Sequence, residues 1–179
     1  GSIKDRPVLR MLIDAVLKGN LKKPQVILDA TSGNAGIAYA MIGATLGYNV
    51  ELVMPENASE ERKKRLRAHG AKLTFTNPML GYDETIREVK RLYASDPEKY
   101  FYSDQYSNIN NPLAHYETTA EEIWRATDGK VDAIVAGVGT GGTISGIARA
   151  LKAKNPAFQA IAVEPKDSAV LSGKEAGPH

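Results

Sequence analysis

Short apolar runs alternate with helical patterns along this whole chain, and that alternation leaves few folds open. Gln25 to Ala30, Val50 to Met54, Lys72 to Thr76, Tyr100 to Ser103, Val131 to Ala136 and Gln159 to Glu164 read as strands. Between them, apolar residues recur at helical spacing in Val8 to Leu17, Gly36 to Leu46, Tyr82 to Ala94, Ala114 to Thr127 and Ile144 to Lys152. A further helix is expected from an N-cap at Ser59 through Ala68, with Glu60 and Glu61 in the first turn, where negative charge suits the dipole. A strand that is followed by a helix returns to its sheet as a parallel neighbour. The pattern therefore predicts an α/β fold of parallel sheets with helices on both faces. The polar, Asn-rich stretch from Asp104 to Pro112 interrupts the alternation, which suggests one domain over residues 1–112 and a second, partial one over 113–179.

Composition removes several classes of function. A net charge of +2, with bases scattered among acids, gives no nucleic-acid footprint. There is no cysteine, so disulfides and thiolate chemistry are out. His69, His115 and His179 stand far apart and read as surface or packing residues, so no metal is expected. No apolar stretch reaches the roughly 18 residues of a membrane span, and the first residues do not form a secretion signal. A soluble, cytoplasmic protein is expected.

Chemistry is concentrated in three segments. Gly137-Val138-Gly139-Thr140-Gly141-Gly142-Thr143 lies between a strand and a helix. Its four glycines let backbone N–H groups approach a ligand, and the helix start adds a positive dipole end, so the turn suits a phosphate. Taken literally it also matches a dinucleotide fingerprint, with Glu164 at the end of the next strand as the ribose-binding acid. A purely structural tight turn is a third possibility. Thr31-Ser32-Gly33-Asn34-Ala35-Gly36 repeats the arrangement after the first strand, either as a second anion site or as a simple N-cap cluster. Lys4, within Gly1-Ser2-Ile3-Lys4-Asp5-Arg6, read by itself is a solvated lysine.

Together these segments resemble the cofactor-binding motifs of the pyridoxal-phosphate enzymes related to cysteine synthase (O-acetylserine sulfhydrylase) and cystathionine β-synthase. Five separated motifs fall in the family's order, the others being Asp104-Gln105-Tyr106-Ser107-Asn108 and the run from Val163-Glu164-Pro165 to Gly177-Pro178-His179. The resemblance implies the two-domain architecture of fold type II, truncated here at both ends. It places Lys4 as the residue that carries pyridoxal 5'-phosphate as a Schiff base and later serves as base. Gly139, Thr140, Gly141, Gly142 and Thr143 are implied as the phosphate cup, and Asn34 as the contact to the ring hydroxyl. Thr31, Ser32, Gly33, Asn34 and Gln105 are implied around the amino-acid substrate, chiefly its carboxylate. Ala35 departs from the family, whose cysteine synthases usually carry threonine there.

The activity implied is a β-replacement: an O-activated L-serine, O-acetylserine or O-phosphoserine, passes through an aminoacrylate to which sulfide adds, giving L-cysteine. Cystathionine β-synthase chemistry, joining serine to homocysteine, is the alternative within the family. An NAD-binding Rossmann domain or a catalytically inactive fragment are the alternatives outside it. The resemblance also implies a homodimer and a complex with serine acetyltransferase.

Overall fold

The computed structural model describes residues 1–31 and 33–177, which form two units, Gly1–Asn108 and a second from Ile109 onward. In the first unit the elements run α1 (Asp5–Leu17), β1 (Val26–Ala30), α2 (Asn34–Thr45), β2 (Val50–Pro55), α3 (Glu60–Ala68), β3 (Lys72–Thr76), α4 (Gly81–Ser95) and β4 (Tyr100–Tyr102). The strands make one parallel sheet in the order β3-β2-β1-β4.

Alternate residues of the central strands feed two cores. Ile27, Val50, Leu52 and Met54 face one side, where Val8, Met11, Leu12 and Ala15 of α1, Ala38 and Tyr39 of α2, and Leu66 of α3 close over them. Leu28, Ala30 and Val53 face the other side and pack on Val89 of α4 and Tyr100. The α/β reading with helices on both faces holds for this sheet. α2 is apolar all round because it is held between α1 and the sheet, the expected composition for a buried helix. It settles this low because Gly36 has no side chain; a Cβ there would lie 2.5 Å from Cγ2 of Thr31.

A buried carboxylate of β2 is tied into the sheet. Glu51 is 2% exposed and accepts from Tyr100 Oη at 3.0 Å and Thr74 Oγ1 at 2.8 Å, with Lys72 Nζ at 2.9 Å. Burial pushes its carboxyl up, but these three partners outweigh burial and hold it below the usual range.

In the second unit α5 (Asn110–Ala114), a π-helical turn (His115–Thr119) and α6 (Ala120–Ala126) run as one helix into β5 (Ala133–Gly137), α7 (Gly142–Lys154) and β6 (Gln159–Val163). β5 and β6 pair in parallel, with Val135 opposite Ile161. Ala120, Ile147, Ala150, Leu151 and Phe158 form its core, with Ile134 packed against them. Val135, Ile161 and Val163 remain exposed.

The helix expected from Ala114 begins four residues earlier. Pro112 reads as a loop residue, yet it lies in the first turn of α5, where its missing N–H interrupts no helical bond. Among the described residues no helix is long and apolar enough to cross a membrane, and no cluster of three or more His, Asp or Glu could hold a metal ion.

Candidate functional site

Lys4 stands at the N-cap of α1. Ser2 Oγ accepts the Lys4 N–H at 3.2 Å, and Asp5 Oδ2 accepts the Ser2 N–H at 3.1 Å, so the segment is folded back on itself around the lysine. Its side chain is half-buried, and burial lowers the amine from the ordinary lysine range.

The loop after β1 is a built turn. Thr31 is 2% exposed, and its Oγ1 accepts the N–H groups of Gly36 at 3.0 Å and Gly33 at 3.3 Å. The threonine is therefore the scaffold of the turn as well as a candidate ligand group. Gly33 is the N-cap and exposed Asn34 the first residue of α2, so both sit where a helix presents N–H groups without intrahelical acceptors. Ser32 lies outside the described residues.

The peptide that leads into this turn is held at both ends. Asp29 Oδ1 accepts the Ala30 N–H at 2.7 Å. The Ala30 carbonyl accepts from Gln105 Nε2 at 2.9 Å and from the Tyr82 hydroxyl at 3.0 Å. Gln105 thus lies beside the Thr31 turn, with one amide hydrogen on Ala30. Its loop owes its shape to Asp104, which takes a left-handed φ of 47°, and to Asn108, whose amide donates to the Ser103 carbonyl at 2.9 Å. Asp29 is fully buried; burial, opposed by the Tyr39 hydroxyl and the Ala30 N–H, pushes its carboxyl up to about 7. Asp29 and Tyr82 escape a sequence reading because one looks like a strand residue and the other like a helix residue.

In the second unit the glycine turn closes β5 and opens α7. Gly141 is its N-cap, in the left-handed region at φ +79°. Apart from the adjoining residues, no heavy atom lies within 4 Å of a side-chain position built on Gly137, Gly139 or Gly141, so space stands open over this backbone. A depression of about 460 Å³ follows it, lined by Gly137, Val138, Gly139, Val163, Glu164 and Pro165 at the carboxyl ends of the two strands. That is where ligands bind in parallel α/β sheets.

Behind the turn, Asn111 Nδ2 donates to Thr140 Oγ1 at 2.9 Å, and His115 Nε2 lies 3.3 Å from Thr143 Oγ1. His115 is fully buried, so it is not a surface residue. Sequence spacing gives no hint of either contact; the small-residue step Gly142 to Gly146 is the one available clue to a close neighbouring helix.

Glu164 does not serve the dinucleotide reading. Its carboxylate accepts the N–H groups of Leu171 at 2.7 Å and Ser172 at 2.9 Å and the Ser172 hydroxyl at 2.6 Å. It builds the turn after β6, and the ribose-binding acid is already engaged.

Comparison with known proteins points the same way. The family of pyridoxal-phosphate dependent enzymes matches residues 1–178. The chain is 54% identical to the cysteine synthase of Aquifex aeolicus over 165 residues, covering 92% of this chain and 50% of that protein. It is 44% identical to cysteine synthase A of Escherichia coli over 186 residues, covering 99% of this chain and 58% of that one. Among solved structures, the cysteine synthase of Entamoeba histolytica superposes with a TM-score of 0.94 at 44% identity, covering 99% of this chain and 52% of that chain. A hydrogen sulfide-producing enzyme of Fusobacterium nucleatum also gives 0.94 at 44% identity, covering 99% and 59%. The chain thus spans between half and three-fifths of the length of these relatives.

The residues present fit the cofactor that this family takes. A glycine turn with open space over its backbone, at the start of the 13-residue helix α7 and flanked by two threonines, has the donor chemistry of a phosphate site. A lysine lowered by burial suits a carbonyl cofactor.

Proposed function

We propose a function from one premise: this chain belongs to the pyridoxal-phosphate dependent enzymes. We infer that it is the part of a cysteine synthase that carries the lysine, the carboxylate loop and the phosphate cup, and that the whole enzyme makes L-cysteine from an O-activated L-serine and sulfide. The observation that carries this reading is 54% identity to a cysteine synthase across nearly all of the chain.

Gly139 to Thr143 would hold the cofactor phosphate, Asn34 its ring hydroxyl and Lys4 its carbonyl carbon. Bound pyridoxal phosphate supplies an electron sink for bonds at the substrate's α-carbon. The chain's own residues do the rest. Thr31, Ser32, Gly33, Asn34 and Gln105 bind the substrate carboxylate and orient the α-C–H bond. The pinned Ala30 peptide keeps the loop from drifting, since both of its ends are hydrogen-bonded. Lys4 Nζ takes the α-proton; its lowered pKa leaves more of the unprotonated amine at neutral pH, the form that both tasks require. The resemblance alone supports a homodimer, a serine acetyltransferase partner and a cytoplasmic location.

The test is direct. Pyridoxal phosphate added to the chain should give a visible absorption band, and borohydride should fix the cofactor to Lys4, located by peptide mass spectrometry. Lys4→Ala should abolish both. A band of unchanged strength in that variant overturns the lysine assignment.

A further inference from the structure

Both threonines of the glycine turn are gripped by the helix that packs against α7. Thr140 Oγ1 receives Asn111 Nδ2 at 2.9 Å and the Gly142 N–H at 3.4 Å. A hydroxyl oxygen that accepts twice has its lone pairs in use, so its own proton must be donated elsewhere. Thr143 Oγ1 lies 3.3 Å from His115 Nε2, while His115 Nδ1 lies 3.0 Å from Thr119 Oγ1, inside the π-helical turn. The two helices can come this close because Gly142 and Gly146 lack side chains. A Cβ on Gly142 would meet the Asn111 amide; one on Gly146 would meet the Pro112 carbonyl and lie 2.9 Å from His115 Cβ.

The imidazole couples the two threonines that it touches. With its proton on Nδ1, Nε2 is an acceptor, and Thr143 must give its hydroxyl hydrogen to the ring. Only lone pairs of Thr143 then face outward, and these repel an anion. With a proton on Nε2, the ring donates to Thr143 Oγ1 and the threonine hydrogen is released to point at a ligand. We propose, building on the reading of Gly139–Thr143 as a phosphate cup, that His115 and Asn111 are positioning residues that turn Thr143 and Thr140 into donors toward an anion. A phosphate bound there selects the form of His115 that bears a proton on Nε2.

The unsubstituted chain, labelled with ¹⁵N in its histidines, answers this by NMR during titration with inorganic phosphate. The His115 ring, assigned through the missing signals of His115→Gln, should hold its proton on Nε2 at saturation. A ring that carries its only proton on Nδ1 at saturation overturns the proposal. Affinity for inorganic phosphate gives a second readout. His115→Leu should weaken binding about tenfold, roughly what one charge-assisted hydrogen bond contributes. His115→Gln retains an amide hydrogen at the Nε2 position and should stay within about threefold of the parent. In a Thr143→Val background, His115→Leu should add no further loss; an equal loss in both backgrounds marks a merely structural histidine. If the unsubstituted chain binds no phosphate, the cup reading itself falls, which the NMR titration reveals before any variant is made.

Discussion

Replacing Asp29 by asparagine should stabilise this chain at neutral pH, although it removes a buried, hydrogen-bonded carboxylate. The folded carboxyl titrates at about 7, because burial disfavours its charge. Unfolded, it titrates near 3.9. Below pH ~4 both states hold the proton and the aspartate exacts no penalty. As pH rises from about 4 to about 7 the unfolded state loses its proton while the folded state keeps it, so stability falls with pH. The difference is about three pK units at ~1.4 kcal/mol each, on the order of 4 kcal/mol, and it is constant above pH ~7. Asparagine is nearly isosteric and retains an acceptor for the Ala30 N–H, but has no proton to lose. Urea unfolding of both proteins, followed by far-UV circular dichroism from pH 4 to 8, reads the difference directly. Every other titrating group is shared and cancels. The gap should open in favour of Asp29→Asn as pH rises, then level off; a fixed offset from the new amide leaves that slope unchanged. A difference independent of pH, or one that moves against the variant as pH rises, refutes the reasoning.

Other residues give sharper local tests. Gly146→Ala should lower the melting temperature by several degrees, since its Cβ would meet the Pro112 carbonyl and His115, and such overpacking costs about 1–3 kcal/mol; a rise would mean that helix propensity wins. Tyr82→Phe removes one of two donors to the Ala30 carbonyl and should reduce stability by about 1 kcal/mol in urea titrations. Glu164→Ala should speed hydrogen exchange at the Leu171 and Ser172 amides, whose only change is loss of the carboxylate that accepts them.

Much of this was legible in the sequence where local physics and final structure agree. Apolar runs such as Val50–Met54 became strands because both of their faces are covered, and Ser59 caps α3 by accepting the Arg62 N–H, as its position promises. The turns after β1 and β5 could be placed because backbone turns at strand ends need particular residue types in order. What was hidden depends on partners distant in sequence. Asp29 looks like an ordinary strand residue until its burial is known, and Tyr82 lies 52 positions from the carbonyl that it holds. His115 could be judged only by elimination, because a histidine with no metal-ligand spacing gives no sign that 28 residues later a threonine will lie against its ring. Pro112 misled for a different reason: it opens a helix as readily as it ends one.

The bare strand pair of the second unit sets how this chain must be handled. Parallel pairing is ordinarily found with both sheet faces covered, and two strands seldom suffice in water. Here Val135 and Ile161 lie side by side on an uncovered face, and every residue of β6 is exposed. Such a ribbon has backbone donors and acceptors along its rim and greasy side chains on its flank, the recipe for edge-to-edge stacking. At high concentration the chain by itself should therefore aggregate through β5 and β6 first, and a lysine at Ile161 should delay turbidity without disturbing the helical side.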